Sequence, residues 1–283
     1  MTVEIPNMQL NDGQELPAIA LGTVALKGNK GALQITDAIR AGYRLIDTST
    51  NYNNEGIVGK AVRDSGVPRD ELMISSKLPG AQHDYDRALL IIEEQLARTG
   101  LDYFDKYLIH WPNPDDGKYV EAWKALIQAQ KLGMVKTIGV SNFLEHHLEK
   151  IIDETGVTPA TNQIEIHPYF HNEENVKANE KFGIVTEAWS PLGRTKNDAK
   201  THPELVEIGK KYNKTAPQVI IRWLYQRDIL TVVKSGNPVH QKENLDIFDF
   251  ELTADEMDTI FALDKGEEGR VEGQHPDVYH EYE

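Results

Sequence analysis

Eight short β-rich runs alternate with longer segments of helical period, and this alternation constrains the fold more than any other feature. The runs lie at Pro17–Gly22, Leu45–Thr48, Leu72–Lys77, Tyr103–Trp111, Thr137–Ser141, Ala160–Ile166, Ile184–Ser190 and Ile229–Ser235. Several are almost continuously apolar, which is typical of parallel strands covered on both faces. Eight such strands alternating with helices predict an α/β fold, a (β/α)8 TIM barrel.

The segments between the runs support this prediction. Apolar residues recur three and four positions apart within Gly31–Ala41, Tyr85–Thr99 and Tyr119–Leu132, so these segments are predicted helices. Before the first run, Asp12-Gly13 separates two short alternating stretches and predicts an N-terminal β-hairpin. We expect a single barrel domain over residues 1–283, with an extra helix and a tail at its C-terminal end.

A doubly wound open sheet is the alternative architecture. That fold normally carries a glycine-rich phosphate loop after its first strand, and this sequence contains no G-x-G-x-x-G motif and no P-loop. The absence of both motifs favours the barrel.

Composition excludes several classes of function. The 45 Asp and Glu against 30 Lys and Arg give a net charge of −15, which disfavours nucleic acid and anionic membranes as partners. The chain has no cysteine, so disulfides, thiolate metal sites and cysteine nucleophiles are excluded. No apolar run approaches the roughly 20 residues of a membrane span, and the first residues lack the pattern of a signal peptide. We expect a cytoplasmic protein.

Metal binding is not expected either. His167 and His171 are four positions apart, but Pro168 interrupts any helix between them. His146 and His147 are adjacent, and neither pair belongs to an H-E-x-x-H zinc motif.

Three consecutive predicted strands end in different ionisable residues. The second, third and fourth runs lead into Asp47, Lys77 and His110, and Tyr52 follows Asp47 on the loop that leaves the same rim. Taken singly, each has an ordinary structural interpretation as a cap, a surface charge, a core histidine or a packed loop residue. Barrel enzymes collect their chemistry at this face, so the convergence favours an active site. Asp47 and Lys77 are expected to pair, because either charge alone would be costly to bury.

These four side chains suit proton transfer to a developing alkoxide. Tyrosine, with a reference pKa near 10, is an intact acid at neutral pH. A buried Lys77 is expected to favour the phenolate and to lower the pKa of Tyr52 toward the working range. Asp47 would hold Lys77 charged and oriented, and His110 would hydrogen-bond the substrate oxygen.

A second cluster follows the last predicted strand. Asn237 is a good N-cap and Pro238 a good first helical residue, so a helix begins here with free N–H groups. Barrels bind phosphate at this position, although an ordinary capped surface helix is the alternative interpretation. The neighbouring residues that suit a phosphate are Lys234, Ser235, Gly236, His240 and Lys242.

Seven segments resemble, in order and spacing, the motifs of the aldo-keto reductases. They read GYRLIDTSTNYNNE, ISSKL, YLIHWP, IGVSNF, NQIEIHP, EAWSPLG and VVKS…KENLDIFDFELT, and extend from about Gly22 to Asp264. Within that family the sequence is most similar to the bacterial 2,5-diketo-D-gluconic acid reductase group. The resemblance implies a (β/α)8 barrel that transfers hydride from NADPH to a small-molecule carbonyl substrate, an aldehyde, ketone or keto-sugar, as a monomer and without metal or flavin.

The resemblance also implies roles for individual residues. Tyr52 would be the proton donor, Lys77 and Asp47 its activating pair, and His110 the residue that orients the carbonyl group. The implied substrate-binding residues are Val24, Tyr52, His110 and Trp111. Ser141, Asn142 and Gln163 match positions that bind the nicotinamide carboxamide, and Trp189 matches the aromatic residue that stacks on its ring. The remaining implied cofactor residues are Gly22, Thr23, Ser190, Leu192, Gly193, Lys234, Ser235, Gly236, His240, Glu243 and Asn244.

Three positions depart from the family pattern. Val24 stands where many relatives carry a large aromatic residue, which predicts a roomier substrate pocket. Val233 replaces the proline often found before Lys-Ser. His240 stands where the family usually has the arginine that grips the 2′-phosphate, so some use of NADH is expected.

Two other functions remain open from the sequence. One is a Schiff-base aldolase that uses Lys77 as its nucleophile. The other is a regulatory subunit that binds nucleotide and turns over little substrate.

Overall fold

The computed structural model describes residues 4–194 and 198–282, and the chain enters through an antiparallel hairpin. Its strands are β1 (Asn7–Gln9) and β2 (Glu15–Pro17). Gly13 has φ +84°, a left-handed conformation that glycine adopts without strain, so the predicted Asp12-Gly13 hairpin is confirmed. Leucines of the hairpin pack with residues that begin barrel strands, among them Leu45 and Leu230. The hairpin therefore covers the N-terminal end of the barrel.

Eight parallel strands close into the predicted barrel. They are β3 (Ile19–Gly22), β4 (Leu45–Asp47), β5 (Met73–Leu78), β6 (Phe104–Ile109), β7 (Val135–Ser141), β8 (Thr161–Glu165), β9 (Val185–Trp189) and β10 (Leu230–Val233). Each strand pairs with the next along the chain, and β10 pairs with both β9 and β3 to close the barrel. Each one overlaps the run predicted for it. Since all eight strands are parallel, their carboxyl ends meet at one rim.

Helices follow the strands and surround the barrel. They are α1 (Gly28–Ala41), α2 (Glu55–Ser65), α3 (Tyr85–Thr99), α4 (Tyr119–Lys131), α5 (Glu145–Thr155), α6 (Glu173–Lys181), α7 (Pro203–Tyr212), α8 (Ala216–Tyr225), α9 (Pro238–Leu245) and α10 (Ala254–Phe261). Two of them, α7 and α8, lie between β9 and β10. The predicted extra helix is α10, and a tail continues to residue 282. Within the described ranges, no helix is both long enough and apolar enough to cross a membrane.

The helices bury one apolar face against the barrel wall. In α4 the buried positions include Ala122, Trp123, Leu126 and Ala129, which recur at the three- and four-residue spacing of one helix face. All four side chains are 0% exposed. The apolar positions whose spacing predicted this helix are therefore the positions that pack against the barrel.

Helices α2 and α3 approach each other closely at a glycine. A Cβ atom added to Gly59 would lie 1.7 Å from the backbone oxygen of Thr99, the last residue of α3. A Cβ atom on Gly56, in the same helix, would lie 3.8 Å from its nearest neighbour, which is ordinary van der Waals contact. Gly59 therefore sets the distance between the two helices.

Alanine substitutions at these two glycines distinguish the effect of packing on stability from the effect of helix propensity. We expect Gly59→Ala to lower the free energy of unfolding by about 1–3 kcal/mol, because the methyl group must push α3 away. Gly56→Ala should leave it unchanged or raise it by up to about 1 kcal/mol, since alanine favours a helix. Urea denaturation of the two variants measures both values. Equal changes in the free energy of unfolding of the two variants would contradict the close approach of α2 and α3 at Gly59.

Candidate active site

Two of the predicted residues form a buried ion pair at the carboxyl rim. Asp47 is the last residue of β4 and Lys77 is the penultimate residue of β5, its neighbour in the barrel. Lys77 Nζ donates to Asp47 Oδ1 at 2.5 Å and to the backbone oxygen of Thr48 at 2.9 Å. The side chains are 0% and 2% exposed. The predicted pair is therefore present and shielded from water.

This pairing decides the protonation state of Lys77. Burial is the largest single influence and lowers the pKa of Lys77, but the charge and hydrogen bond of Asp47, with the charges of Tyr52 and Glu187, together raise it by more, and the net pKa lies above its ordinary value. Lys77 is therefore a charged ammonium group at neutral pH. An ammonium group has no free electron pair, which argues against the Schiff-base aldolase.

Tyr52 lies beside this ammonium group on the 3₁₀ turn Thr50–Tyr52 that follows β4. Lys77 Nζ is 5.5 Å from the centre of its ring, and the ring of His110 is 6.4 Å away in an edge-on arrangement. Burial raises the pKa of Tyr52, Lys77 lowers it, and Asp47 raises it again, so the net pKa is above 10.0.

The expectation that Lys77 brings the pKa of Tyr52 down to the working range is therefore wrong in its net direction. Lys77 acts in the expected sense, but loss of hydration destabilises the phenolate more. The phenol of Tyr52 keeps its proton in this environment. It is an acid that releases a proton only to a strong base.

A second buried ion pair lies inside the barrel and is linked to the first. Lys106 Nζ on β6 contacts Glu187 Oε1 on β9 at 2.5 Å, and both side chains are 0% exposed. Strands β6 and β9 are not neighbours, so the pair crosses the barrel interior. Gln163 Nε2 donates to Asp47 Oδ2 at 3.1 Å and to Glu187 Oε2 at 2.9 Å. Both amide hydrogens of Gln163 are thus used, and in the described chain nothing donates to its side-chain oxygen.

Two adjoining cavities of about 550 Å³ and 240 Å³ open at this rim. Both are lined by Val24, Tyr52, Gln163, Trp189 and Arg194, so they are two parts of one cleft. Predicted residues that line the larger part only are His110, Trp111, Ser141 and Asn142. Those that line the smaller part only are Gly22, Thr23, Asp47, Ser190, Leu192, Gly193 and Lys234.

Hydrogen bonds hold the floor of the cleft in place. Trp189 Nε1 donates to Asn142 Oδ1 at 2.8 Å, and Asn142 Nδ2 donates to the backbone oxygen of His110 at 3.0 Å. Ser141 Oγ donates to the backbone oxygen of Gln163 at 2.7 Å. The ends of β6, β7, β8 and β9 are thereby tied together around the predicted site.

The predicted phosphate-binding residues lie beyond Lys234, at the start of α9. Asn237 Oδ1 accepts from Val239 N at 2.9 Å and Pro238 is the first helical residue, so the predicted N-cap is confirmed. His240 is exposed on the first turn. Ser235, Gly236, His240, Glu243 and Asn244 line neither part of the cleft described above.

Sequence reasoning did not single out several side chains that line the larger cavity. They are Asn51, Arg194, Gln274, Tyr279, His280, Glu281 and Tyr282. Most come from the C-terminal tail, where the Tyr279 ring lies 4.3 Å from that of Trp111. Arg194 directly follows the EAWSPLG segment, so its charge was a usable signal. No pattern in the sequence shows where the tail lies.

The histidines considered for metal binding fall into two groups. Nε2 of His167 contacts Glu165 Oε1 at 3.1 Å and Nε2 of His171 contacts the backbone oxygen of Pro168 at 3.1 Å, so this pair does not converge. His146 and His147 come within reach of Asp277, in a grouping that could hold an ion.

The bonding of His147 opposes such an ion. Its Nδ1 accepts from Leu144 N at 3.2 Å, which places the ring proton on Nε2, the atom that would have to ligate.

Comparisons with known proteins agree on one family. A model of the Aldo/keto reductase family matches residues 18–265. The chain is 46% identical over 277 residues to 2,5-diketo-D-gluconic acid reductase B of Corynebacterium sp., covering 98% of this chain and 99% of that protein. It is 42% identical over 277 residues to morphine 6-dehydrogenase of Pseudomonas putida, covering 94% of each. A solved structure of a Gox0644 mutant in complex with NADPH has TM-score 0.92 and 39% identity, covering 98% of this chain and 99% of that one.

The buried pair predicts a large loss of stability when its cation is removed. We expect Lys77→Met to lower the free energy of unfolding by about 3–5 kcal/mol, because Asp47 is left buried without a counter-charge. Lys60→Met is the control, since Lys60 pairs with Asp64 on the surface, at 53% and 49% exposure. Its loss should be about 1 kcal/mol or less. Similar losses in guanidinium denaturation would contradict the buried pairing.

Proposed function

This chain belongs to the aldo/keto reductase family, and we propose that it reduces aldehydes, ketones or keto-sugars to alcohols with NADPH as the reductant. The observation that carries the proposal is the position of Tyr52 beside the buried Lys77–Asp47 pair, at the junction of the two parts of one cleft. One part suits a carbonyl substrate, and the other leads toward the N-terminus of α9.

The residues of the smaller cavity fit a nicotinamide dinucleotide. Gln163 presents a side-chain oxygen with no donor in the described chain, which suits a carboxamide N–H, and Trp189 offers an aromatic face. Lys234 lines the far end, and α9 begins just beyond it with backbone N–H groups that suit phosphate. NADPH, when bound, supplies the hydride. Ser141, Asn142, Ser190, Leu192 and Gly193 would complete its site.

Tyr52 supplies the proton in this proposal. Its raised pKa keeps the phenol intact until negative charge develops on the substrate oxygen. The phenolate that remains is stabilised by Lys77, whose ammonium group is 5.5 Å from the ring centre. Asp47 keeps Lys77 charged throughout. His110, across the ring of Tyr52, orients the carbonyl group.

The larger cavity favours a small polar substrate. Its wall carries several hydrogen-bonding side chains, including Asn51, Gln274 and the cation of Arg194. Val24 presents a small side chain on one side and leaves room there. A hydroxylated keto-compound matches this lining, and the name of the Corynebacterium relative, a diketogluconic acid reductase, supports the same class.

The direct test follows absorbance at 340 nm with NADPH and a panel of aldehydes, dicarbonyls and keto-sugars. We expect oxidation of NADPH that depends on the carbonyl compound. Tight NADPH binding without turnover on the whole panel would favour the regulatory subunit instead. Absence of both binding and turnover would reject the proposal.

Removing the phenolic hydroxyl tests the proton donor. We expect Tyr52→Phe to reduce kcat by about 10²–10⁴-fold, the usual contribution of general acid catalysis. The affinity for NADPH should stay near that of the wild type, because the ring remains. Tyr279→Phe is the matched control, since it removes a hydroxyl group from the same cavity. A Tyr52→Phe enzyme that keeps more than about a tenth of the activity would exclude this role.

His240 provides a test of the phosphate end. Arginine can engage a phosphate with two parallel charge-assisted hydrogen bonds, which a single imidazole nitrogen cannot do. We expect NADPH to be preferred and NADH to be used measurably. His240→Arg should tighten NADPH selectively, by about 1 kcal/mol or more.

The measurement is kcat/KM for both cofactors in the wild type and in His240→Arg. Val239→Arg, on the same exposed turn, is the control for added charge. A cofactor ratio that His240→Arg leaves unchanged would show that His240 does not contact the 2′-phosphate.

A further inference from the structure

The C-terminal tail buries one carboxylate beside the proposed active site. Glu281 is 6% exposed, whereas Val278 and Tyr282 on the same tail are 69% and 80% exposed. Its backbone is held by Asn113, which donates from Nδ2 to the oxygen of Glu281 at 2.9 Å and accepts from its N–H at 3.1 Å. The position of this side chain is therefore specified.

Three donors from three separate segments surround the carboxylate. Asn51 Nδ2 lies 2.5 Å from Oε1 of Glu281, and the backbone N–H of Gly80 lies 2.7 Å from Oε2. The third neighbour is Nδ1 of His110, 2.5 Å from Oε1. A carboxylate accepts hydrogen bonds and donates none, and its burial is tolerated only where donors meet it.

This contact determines where His110 carries a proton. Nδ1 of His110 is fully buried, and no described residue makes a well-aligned hydrogen bond to it, so Glu281 is the acceptor that the structure offers. An unprotonated Nδ1 would hold its lone pair against a carboxylate oxygen at 2.5 Å, which is repulsive. Nδ1 therefore carries a proton, and Nε2 is the nitrogen left for the cavity.

We propose that Glu281 is a positioning residue that holds His110 as a doubly protonated imidazolium ion. The carboxylate accepts a hydrogen bond from Nδ1–H and balances the positive charge, so that Nε2–H can donate a charge-assisted hydrogen bond to the substrate oxygen. This inference rests on the proposed carbonyl reduction. In this proposal the C-terminal tail strengthens the hydrogen bond that Nε2 of His110 donates to the substrate oxygen.

The other charges near His110 do not replace Glu281 as its counter-charge. The Lys77 cation, beyond Tyr52, is neutralised by Asp47. Arg194 lines the same cavity and opposes a positive His110. His280, the neighbour of Glu281, is paired with Asp115 at 2.7 Å. Glu281 is therefore the counter-charge in contact with the ring.

Glu281→Gln is the informative variant, because three donors meet two oxygens and glutamine offers only one. If that oxygen still accepts the hydrogen bond from the Gly80 N–H, the new amide NH₂ group faces Nδ1 of His110. Two donors cannot share a hydrogen bond, so Nδ1 is then favoured in its unprotonated form, as an acceptor. Glu272→Gln is the matched control, since Glu272 is exposed on the same tail and the charge change is identical.

The first measurement is the ¹⁵N spectrum of the imidazole rings at pH 7, with His110→Asn used to assign the signals. In the wild type we expect both nitrogens of His110 to be protonated, and in Glu281→Gln only Nε2. The wild-type spectrum reports the protons of His110 even if Glu281→Gln does not fold. A neutral His110 in the wild type would overturn the proposal.

The second measurement is steady-state kinetics on the same proteins. Glu281→Gln should lower kcat about tenfold, the difference between a charge-assisted and a neutral hydrogen bond, with the Kd for NADPH within about twofold of the wild type. Glu272→Gln should match the wild type. A wild-type kcat in Glu281→Gln, or an equal loss in Glu272→Gln, would overturn the role. If the wild type reduces no carbonyl compound, the proposed function fails, while the ¹⁵N spectrum still reports the protons on His110.

Discussion

The ion pair between Lys77 and Asp47 is the interaction on which the rest of the site depends. An ammonium group inside a protein survives as a cation only where a carboxylate compensates for its lost hydration. Asp47 does this at 2.5 Å, and the backbone oxygen of Thr48 accepts a second hydrogen bond from the ammonium group. The pair places a permanent positive charge under the ring of Tyr52. In the described part of the chain, Lys77 is the cation that lies over the Tyr52 ring, 5.5 Å from its centre, where it can stabilise the proposed phenolate.

The pair does not stand alone, because Gln163 connects it to the Lys106–Glu187 pair across the barrel. The carboxylates of Asp47 and Glu187 each accept one hydrogen bond from the Gln163 amide group and one from a lysine ammonium group. Any rotation of that amide would turn its oxygen toward two carboxylates, which is strongly unfavourable. The two pairs therefore fix the direction in which Gln163 presents its oxygen to the cleft. Charges deep in the barrel thus position a group at its rim.

Much of this arrangement could be predicted from the sequence. Each barrel strand is a short apolar run, and parallel strands end at one rim, so strand-end residues such as Asp47 and Lys77 were predicted to meet. The net direction of the Tyr52 pKa was not predicted, because it depends on how much water the folded chain excludes from the phenol. Glu281 was also missed, because it lies 171 positions from His110 along the chain and nothing in the intervening sequence encodes the path of the tail.

Apolar periodicity along the chain specifies the strands and helices, and the order of residues specifies which chemical groups stand at the strand ends. Closure of the barrel decided which of those groups touch. Pairing and burial then decided their charge: Asp47 holds Lys77 as a cation, burial keeps Tyr52 protonated, and the fold places Glu281 against His110. The reason is physical, since periodicity is a local property of the chain, whereas desolvation and Coulomb interactions depend on distances through space that only the folded chain defines.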